Sequence, residues 1–265
     1  MSPVPFSFEL LDRFKPTLRA GSYSDRDFLL GNERGYNVYY VPFELINAAA
    51  RLTLVGITPG PTQMAKAYAA AQQTIRANAS DEEVLLNAKR AAAFVGMRNR
   101  IEDMLDHFAI PRHLGIRNAA ALWKEDFQHF QPTSIVPNAA FKGEDFFNGP
   151  FSEVLDVPLL RHQFENVFVP SIEKLSKQTV YVAMGPVVDE ALRWCVDHGV
   201  IEERQLLGYF PHPSGRSGTQ FDYFMRRKKL EDLHPKDPVR NRVRNLDDAY
   251  ERICSNVRSL FGVSP

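Results

Sequence analysis

His212 is the residue whose setting most suggests chemistry, because it stands between Pro211 and Pro213 in a loop that follows an apolar run. Each proline fixes its own φ, and a residue before proline is pushed out of the helical region, so we expect the imidazole on a stiff, extended backbone. The residues after it suit close approach to phosphate groups and hydrogen bonding to their oxygens; they are Ser214, Gly215, Arg216, Ser217 and Gly218. An ordinary surface turn with an incidental histidine is the alternative interpretation.

A second loop follows the short apolar run at residues 52–56, which has the composition of a buried parallel strand. The run stops at Gly56, Ile57 and Thr58, and Pro59 and Gly60 come next. A further turn-rich segment contains Asn138. A plain strand-to-helix turn is the alternative for the Thr58 loop, and a turn-capping asparagine is the alternative for Asn138.

The elements that must position these loops alternate along the chain. Residues 179–184 predict the clearest strand, which Gly185 and Pro186 connect to a helix that ends near Gly199, and residues 205–210 predict the next strand. Such alternation predicts a mostly parallel sheet, in which ligands bind beyond the carboxyl ends of the strands. We therefore expect the Thr58, Asn138 and His212 loops at one edge.

Composition excludes several classes of protein. The chain has 32 basic and 32 acidic residues, so a nucleic-acid surface requires local clustering of charge. Cys195 and Cys254 are far apart, which argues against a zinc or iron–sulfur site and a disulfide scaffold. No apolar run approaches a membrane span. We expect a cytoplasmic monomer with no metal, no cofactor and no membrane contact.

We predict one domain over residues 1–265, with a helical insertion at about 65–110 and a basic C-terminal extension at about 225–265. In the insertion, Ser80 and Glu83 form a capping-box pattern. Residues 225–245 carry eight basic and three acidic residues, which makes a phosphate-binding tract or a solvated face. The basic residues are Arg226, Arg227, Lys228, Lys229, Lys236, Arg240, Arg242 and Arg244.

The stretch from Gly56 to Pro61 resembles the first motif of the uracil-DNA glycosylase superfamily, and His212-Pro213-Ser214 resembles its second. The similarity is greatest to the single-strand-selective branch and covers about residues 50–225. It implies a three-layer α/β/α sandwich around a mostly parallel four-stranded sheet. It also implies a monofunctional DNA glycosylase that flips a nucleotide and needs no cofactor.

The resemblance implies roles at matching positions. His212 matches the donor to the departing base, and Thr58 matches the residue that places water. Asn138 matches a base-reading amide, Phe94 matches a stacking aromatic or is a core residue, and Gly56 and Ile57 lie in the base-binding motif. The DNA contacts are expected from Pro59, Gly60, Pro213, Ser214, Gly215, Arg216 and Ser217, and Arg226 and Arg227 follow in the basic tract.

Thr58 departs from the family, which carries asparagine or aspartate there. A hydroxyl orients water but is a poor base, so we expect a substrate that leaves with less help from water: a damaged or modified pyrimidine, in base-excision repair or in defence against phage with hypermodified DNA. Two alternatives are a catalytically silent DNA-binding or damage-sensing module of the same fold and an enzyme that acts on free nucleosides or nucleotides.

Overall fold

The computed structural model describes residues 4–5, 8–213 and 219–262. In chain order, its strands are β1 Val4–Pro5, β2 Leu29–Glu33, β3 Tyr36–Tyr39, β4 Leu45–Ile46, β5 Leu52–Gly56, β6 Phe130–Ser134, β7 Ala139–Lys142, β8 Asp145–Phe146, β9 Val180–Met184 and β10 Leu206–Phe210. Its α-helices are α1 Glu9–Ala20, α2 Pro61–Arg76, α3 Asp81–Ala92, α4 Arg98–His107, α5 Ile110–His113, α6 Phe151–Asp156, α7 Pro158–His162, α8 Val169–Glu173, α9 Pro186–Asp197, α10 Gln220–Phe224 and α11 Val243–Phe261.

Four of these strands form a parallel sheet in the order β10-β9-β5-β6. The strands predicted at residues 52–56, 179–184 and 205–210 are confirmed as β5, β9 and β10. The apolar residues of β5 and β9 are buried on both faces of the sheet, as expected of strands whose two faces are both covered by other elements.

Helices cover both faces of the sheet. Val188 and Leu192 of α9 share one core cluster with Tyr181 and Ala183 of β9. On the other face, Ile101 of α4 and Ile253 of α11 belong to the cluster that contains Leu54. The protein therefore has an α/β architecture in which a parallel four-stranded sheet is flanked by helices.

Local signals explain where two of the helices begin and end. Ser80 accepts a hydrogen bond from the backbone N–H of Glu83, whose side chain in turn accepts from the backbone N–H of Ser80, so the predicted capping box is confirmed. Gly185 precedes α9 with φ +101°, and Gly199 follows it with φ +71°. Both angles favour glycine, which fixes the boundaries of the helix.

The segment predicted to be helical at about 65–110 contains most of α2, all of α3 and α4, and the beginning of α5. The helices α2 and α3 pack with α1 around a third core cluster, in which the rings of Phe28 and Tyr68 stack at 4.2 Å. Ile101, Met104, Leu105 and Phe108, which recur at helical spacing in the sequence, are all fully buried.

A second, antiparallel sheet was not predicted from the sequence. Its strand order is β2-β3-β7-β8, and Arg34 and Gly35 make the turn between β2 and β3 with φ values of +50° and +81°. Positive φ at both central residues is the geometry of a tight hairpin turn. The sheet brings the end of β8, with Phe146 and Phe147, to the carboxyl edge of the parallel sheet.

The terminal helix α11 holds the outermost strand, β10. The side chain of Asn256 donates hydrogen bonds to the carbonyls of Leu206 and Leu207, both at 3.1 Å. Gly208 lies under this helix, where an added Cβ would come within 3.1 Å of Ile253. The position of β10 therefore depends on a helix that follows it by more than thirty residues.

No helix among the described residues is both long enough and apolar enough to cross a lipid bilayer.

Candidate functional site

A cavity of about 180 Å³ lies at the carboxyl edge of the parallel sheet. Each of the four strands contributes to it: Gly56 at the end of β5, Ser134 at the end of β6, Met184 at the end of β9, and His212 just after β10. This is where parallel sheets bind ligands, because the loops that leave neighbouring strands converge there. We call this cavity the edge pocket.

The Thr58 loop forms one wall of the edge pocket. Gly56, Ile57 and Thr58 line it. The hydroxyl of Thr58 donates to the backbone carbonyl of Asn138 at 2.8 Å and accepts from the backbone N–H of Ala140 at 2.9 Å. Its single proton is therefore engaged, and one lone pair remains for a water molecule.

His212 and Pro213 also line the edge pocket. His212 is solvent-exposed, yet enough protein surrounds its imidazole that burial lowers the pKa below the usual 6.5. The ring is therefore neutral at pH 7, and a neutral imidazole carries one N–H donor and one acceptor. The predicted DNA contacts at Ser214, Gly215, Arg216 and Ser217 lie outside the described residues.

Phe94 both lines the edge pocket and belongs to the core. It lies in the turn between α3 and α4 with φ +52°, a left-handed conformation that is unusual for a bulky side chain. The ring lies beside Gly56, where an added Cβ would contact it at 3.5 Å. Such strain persists where the surrounding structure enforces it, and it often occurs at functional sites.

Asn138 does not lie where a base-reading residue would be needed. It is not among the residues that line the edge pocket, and its side chain is 5% exposed. Its amide oxygen accepts from the backbone N–H of Val41, and its amide nitrogen donates to Gln163, each at 3.0 Å. In this structure Asn138 fastens buried segments and borders a second cavity, and its base-reading role stays a prediction.

Four polar side chains of the edge pocket were missed by sequence reasoning: Ser134, Thr133, Gln63 and Asn148. Ser134 is paired in register with Gly56 across two parallel strands, so its place at the end of β6 was the signal that could have identified it. Gln63 lies in the first turn of α2. Asn148 is exposed just beyond β8, and only the unpredicted second sheet explains its position.

The other predicted DNA contacts have mixed settings. Pro59 is buried, whereas Gly60 precedes α2 and is partly exposed. Arg226 forms an ion pair with Asp247 and lies 4.2 Å from the centre of the Tyr250 ring. Arg227 is exposed and pairs with Asp103 at 3.3 Å. Part of the basic tract is therefore used to hold the C-terminal helices together.

In the part of the chain that the structure describes, no three histidine, cysteine, aspartate or glutamate residues are grouped so that they could hold a metal ion.

The architecture and the site define an α/β protein with a pocket at the carboxyl edge of its parallel sheet. The chain is similar to an uncharacterized protein, YoxB, of Bacillus subtilis (strain 168), with 28% identity over 204 residues that cover 76% of this chain and 80% of that one. No protein-family model matches the chain. No solved structure matches it.

Proposed function

We propose that the protein is a monofunctional DNA glycosylase with a uracil-DNA glycosylase-like fold, which removes a damaged or modified pyrimidine from DNA in base-excision repair or in defence against phage. The observation that carries the proposal is the edge pocket, which gathers the Thr58 loop, Phe94 and the His212 loop from three distant segments. These are the segments that the resemblance to this superfamily singles out.

The reaction is hydrolysis of the bond between C1′ of the sugar and a ring nitrogen of the base. The bonding electrons leave with the base, and the oxygen of a water molecule forms a bond to C1′ while its proton is released. Negative charge grows on the departing base, so a donor aimed at a base carbonyl lowers the barrier. The products are a free base and an abasic site.

His212 supplies that donor in the proposal. Its lowered pKa keeps the imidazole neutral at pH 7, and its N–H is directed by the stiff backbone between two prolines. Phe94 offers an apolar surface for the flipped base, and Ser134, Gln63 and Asn148 offer hydrogen bonds to its polar edge.

The edge pocket does little to activate the attacking water molecule. The free lone pair of Thr58 is able to orient a water molecule, but its proton is committed to Asn138. No carboxylate lines the described part of the edge pocket. A base that departs readily by itself suits such a site better than unmodified uracil, because attack by water then contributes less to the barrier.

Gly60 supports contact with a nucleic-acid backbone. Its φ of −85° is open to any residue, and an added Cβ would meet nothing within 4 Å, so packing inside the chain does not require glycine here. Glycine also leaves the first turn of the sixteen-residue helix α2 without a side-chain cap. Pro61 has no N–H and the N–H of Gln63 is bonded to the carbonyl of Gly60, so in this first turn the N–H of Thr62 is left to meet a phosphate oxygen.

The test is mass-spectrometric detection of free bases from DNA that contains uracil, deaminated purines, oxidised pyrimidines or hypermodified phage cytosines. Wild type is expected to release one class of base, and His212→Ala should slow release by about 10²- to 10³-fold, the usual cost of one such donor. Lys177→Gln, on the opposite edge of the sheet, is the matched control and should behave as wild type. The proposal fails if wild type releases no base from any substrate.

The engaged hydroxyl of Thr58 and the missing carboxylate favour a second candidate, a DNA-binding module that recognises flipped or damaged nucleotides without chemistry. Binding that prefers a damaged site, without release of any base, supports this candidate against the glycosylase.

A further inference from the structure

Phe146 is a large apolar side chain that stays exposed to solvent at the edge pocket. It is 47% exposed, and it lines the pocket together with its neighbour Phe147, which is buried. Two other large apolar side chains among the described residues are also exposed, Phe8 and Leu230, and neither of them lines the edge pocket. Phe146 therefore lies at the rim of the pocket, with part of its ring open to a ligand.

Phe146 continues a row of aromatic side chains on one face of the antiparallel sheet. It is paired in register with Phe141, which is itself paired with Asn37, two residues before Tyr39. Paired residues, and residues two apart on a strand, share a face of the sheet. The rings of Tyr39 and Phe141 meet edge to face at 5.5 Å, and both side chains are partly exposed. Contiguous exposed apolar surface beside a pocket marks an interaction site.

The backbone holds Phe146 in a defined position. A two-residue turn, Gly143 and Glu144, joins β7 to β8, and the N–H of Gly143 donates to the carbonyl of Gly35 at 2.9 Å. On the other side of Phe146, the N–H of Phe147 donates to the carbonyl of Ala140 at 2.8 Å. A side chain on such an anchored strand loses little freedom when a ligand binds it.

The charges beside the ring decide which part of a nucleotide it suits. Glu144 and Asp145 are exposed next to it, and their carboxylates repel phosphate groups. Lys142, on the same hairpin, is paired with Glu153 at 2.6 Å. A flat and neutral group is therefore the compatible partner, and a nucleobase that stacks on an aromatic ring is such a group.

The floor of the pocket and its rim suit different nucleotides. Phe94 is 7% exposed and lies beside Gly56, so it suits the base that enters the pocket. Flipping unstacks that base from its neighbour in the same strand, which is left with an open face. A strand that delivers one base into the pocket carries the next nucleotide at the mouth, where Phe146 exposes its ring.

We propose that Phe146 stacks on the nucleobase next to the flipped nucleotide, with Phe141 and Tyr39 extending the same aromatic surface. This inference rests on the proposed function and adds to it a residue that positions the DNA strand. The ring replaces the stacking partner that the neighbouring base loses. Every base has a flat face, so this contact is tolerant of the identity of the neighbour.

The test is a double-mutant cycle between the protein and the DNA. Single- and double-stranded oligonucleotides carry a tetrahydrofuran abasic-site analogue in place of the flipped nucleotide. The base on its 5′ or its 3′ side is either present or replaced by a second analogue. Fluorescence anisotropy measures each affinity without any bond being broken. Wild type is expected to lose about 5- to 150-fold in affinity when the base on one of the two sides is removed, the usual range for base–aromatic stacking.

Phe146→Ala should bind the oligonucleotide that has its neighbouring base more weakly by a similar factor, and removal of that base should then cost at most about two-fold. Phe146→Tyr keeps an aromatic ring and should retain the dependence of wild type. Phe8→Ala, the matched control, removes an exposed phenylalanine that does not line the edge pocket and should also behave as wild type. Thermal melts establish that each variant is folded.

The outcomes separate this inference from the proposed function. Equal losses of affinity in wild type and Phe146→Ala, with base release intact, would overturn the stacking role and leave the glycosylase. Coupling without release of any base would support the stacking role and favour the DNA-binding module. If no oligonucleotide is bound, the stacking role is overturned, and absence of base release as well would overturn the glycosylase. If Phe146→Ala instead dissociates a dimer in sedimentation and shows no coupling to the DNA, the ring belongs to an interface between copies and the inference is overturned.

Discussion

At the residue scale, Thr58 shows most clearly how the fold uses a residue of the sequence motif. Its side chain lines the edge pocket, and its hydroxyl also joins the β5 loop to the start of β7 through Asn138 and Ala140. Asparagine or aspartate could not donate to a carbonyl and accept from an amide through one small atom in this way. The threonine at this position, where the motif that it resembles carries asparagine or aspartate, thus has a structural reason.

We expect Thr58→Val to lower the free energy of unfolding by about 1 to 3 kcal/mol, because it leaves the Asn138 carbonyl and the Ala140 N–H without their partner. Thr58→Ser keeps the hydroxyl and is the matched control. Urea denaturation at pH 7 measures both. Equal stability of the valine variant and wild type would show that these two hydrogen bonds are dispensable.

The sequence could predict only those site residues that lie in a local sequence pattern. His212, Thr58 and Phe94 were predictable because each lies in a local pattern, and the structure brings all three to one pocket. The role of Asn138 was not predictable, because its partners Val41 and Gln163 lie far away in the chain. Burial decides whether an amide reads a ligand or fastens a core, and local sequence does not encode it.

At the element scale, the basic side chains between α10 and α11 differ in how firmly the fold holds them. Arg226 is tied to Asp247, whereas Arg227 and Lys229 are exposed. An exposed ion pair such as Arg227 with Asp103 contributes little to stability, so Arg227 remains available to another anion. Under the proposed function, phosphate binding by the tract would therefore depend on a subset of its basic residues.

We expect Arg227→Gln combined with Lys229→Gln to weaken binding to all DNA sequences alike and to reduce the slope of log affinity against log salt by about 2. Fluorescence anisotropy from 50 to 200 mM salt measures this change. Lys177→Gln, at the amino edge of the sheet, should leave the slope unchanged. An unaltered slope in the double variant would assign these cations to a solvated face.

The parallel strands and their helices were predicted from sequence, whereas the second sheet was not. The turn between β2 and β3 uses Arg34 and Gly35 instead of the asparagine–glycine or aspartate–glycine pair that usually announces such a hairpin. Its third strand, β7, follows a hundred residues later, so no local pattern links them. Pairing of distant strands is decided by the packing of the whole molecule.

At the scale of the whole molecule, Glu44 and Lys89 are buried together at the expense of stability near neutral pH. Burial raises the pKa of Glu44 to about 7 and lowers the pKa of Lys89 to about 7, and Tyr40 faces the same carboxylate. Between about pH 4.5 and 7, the unfolded chain binds fewer protons at Glu44, so stability falls as the pH rises. Above about pH 7 the unfolded chain binds more protons at Lys89, so stability rises again toward pH 10.

We therefore expect these two groups to give a minimum in stability near pH 7. Glu44→Gln combined with Lys89→Met removes both titrations. The melting temperature of this double variant minus that of wild type should be highest near pH 7 and lower at pH 5 and pH 9, as measured by calorimetry. A difference that does not vary with pH would mean that neither group has a shifted pKa in the folded protein.

The outermost place of β10 has a consequence for biosynthesis. β10 pairs with β9 on one side, and on its other side it is held by Asn256 of α11, which is synthesised later. His212, just after β10, therefore depends in part on α11 for its place in the edge pocket. In a partly made chain without α11, the donor that we propose at His212 lacks this support at the edge pocket.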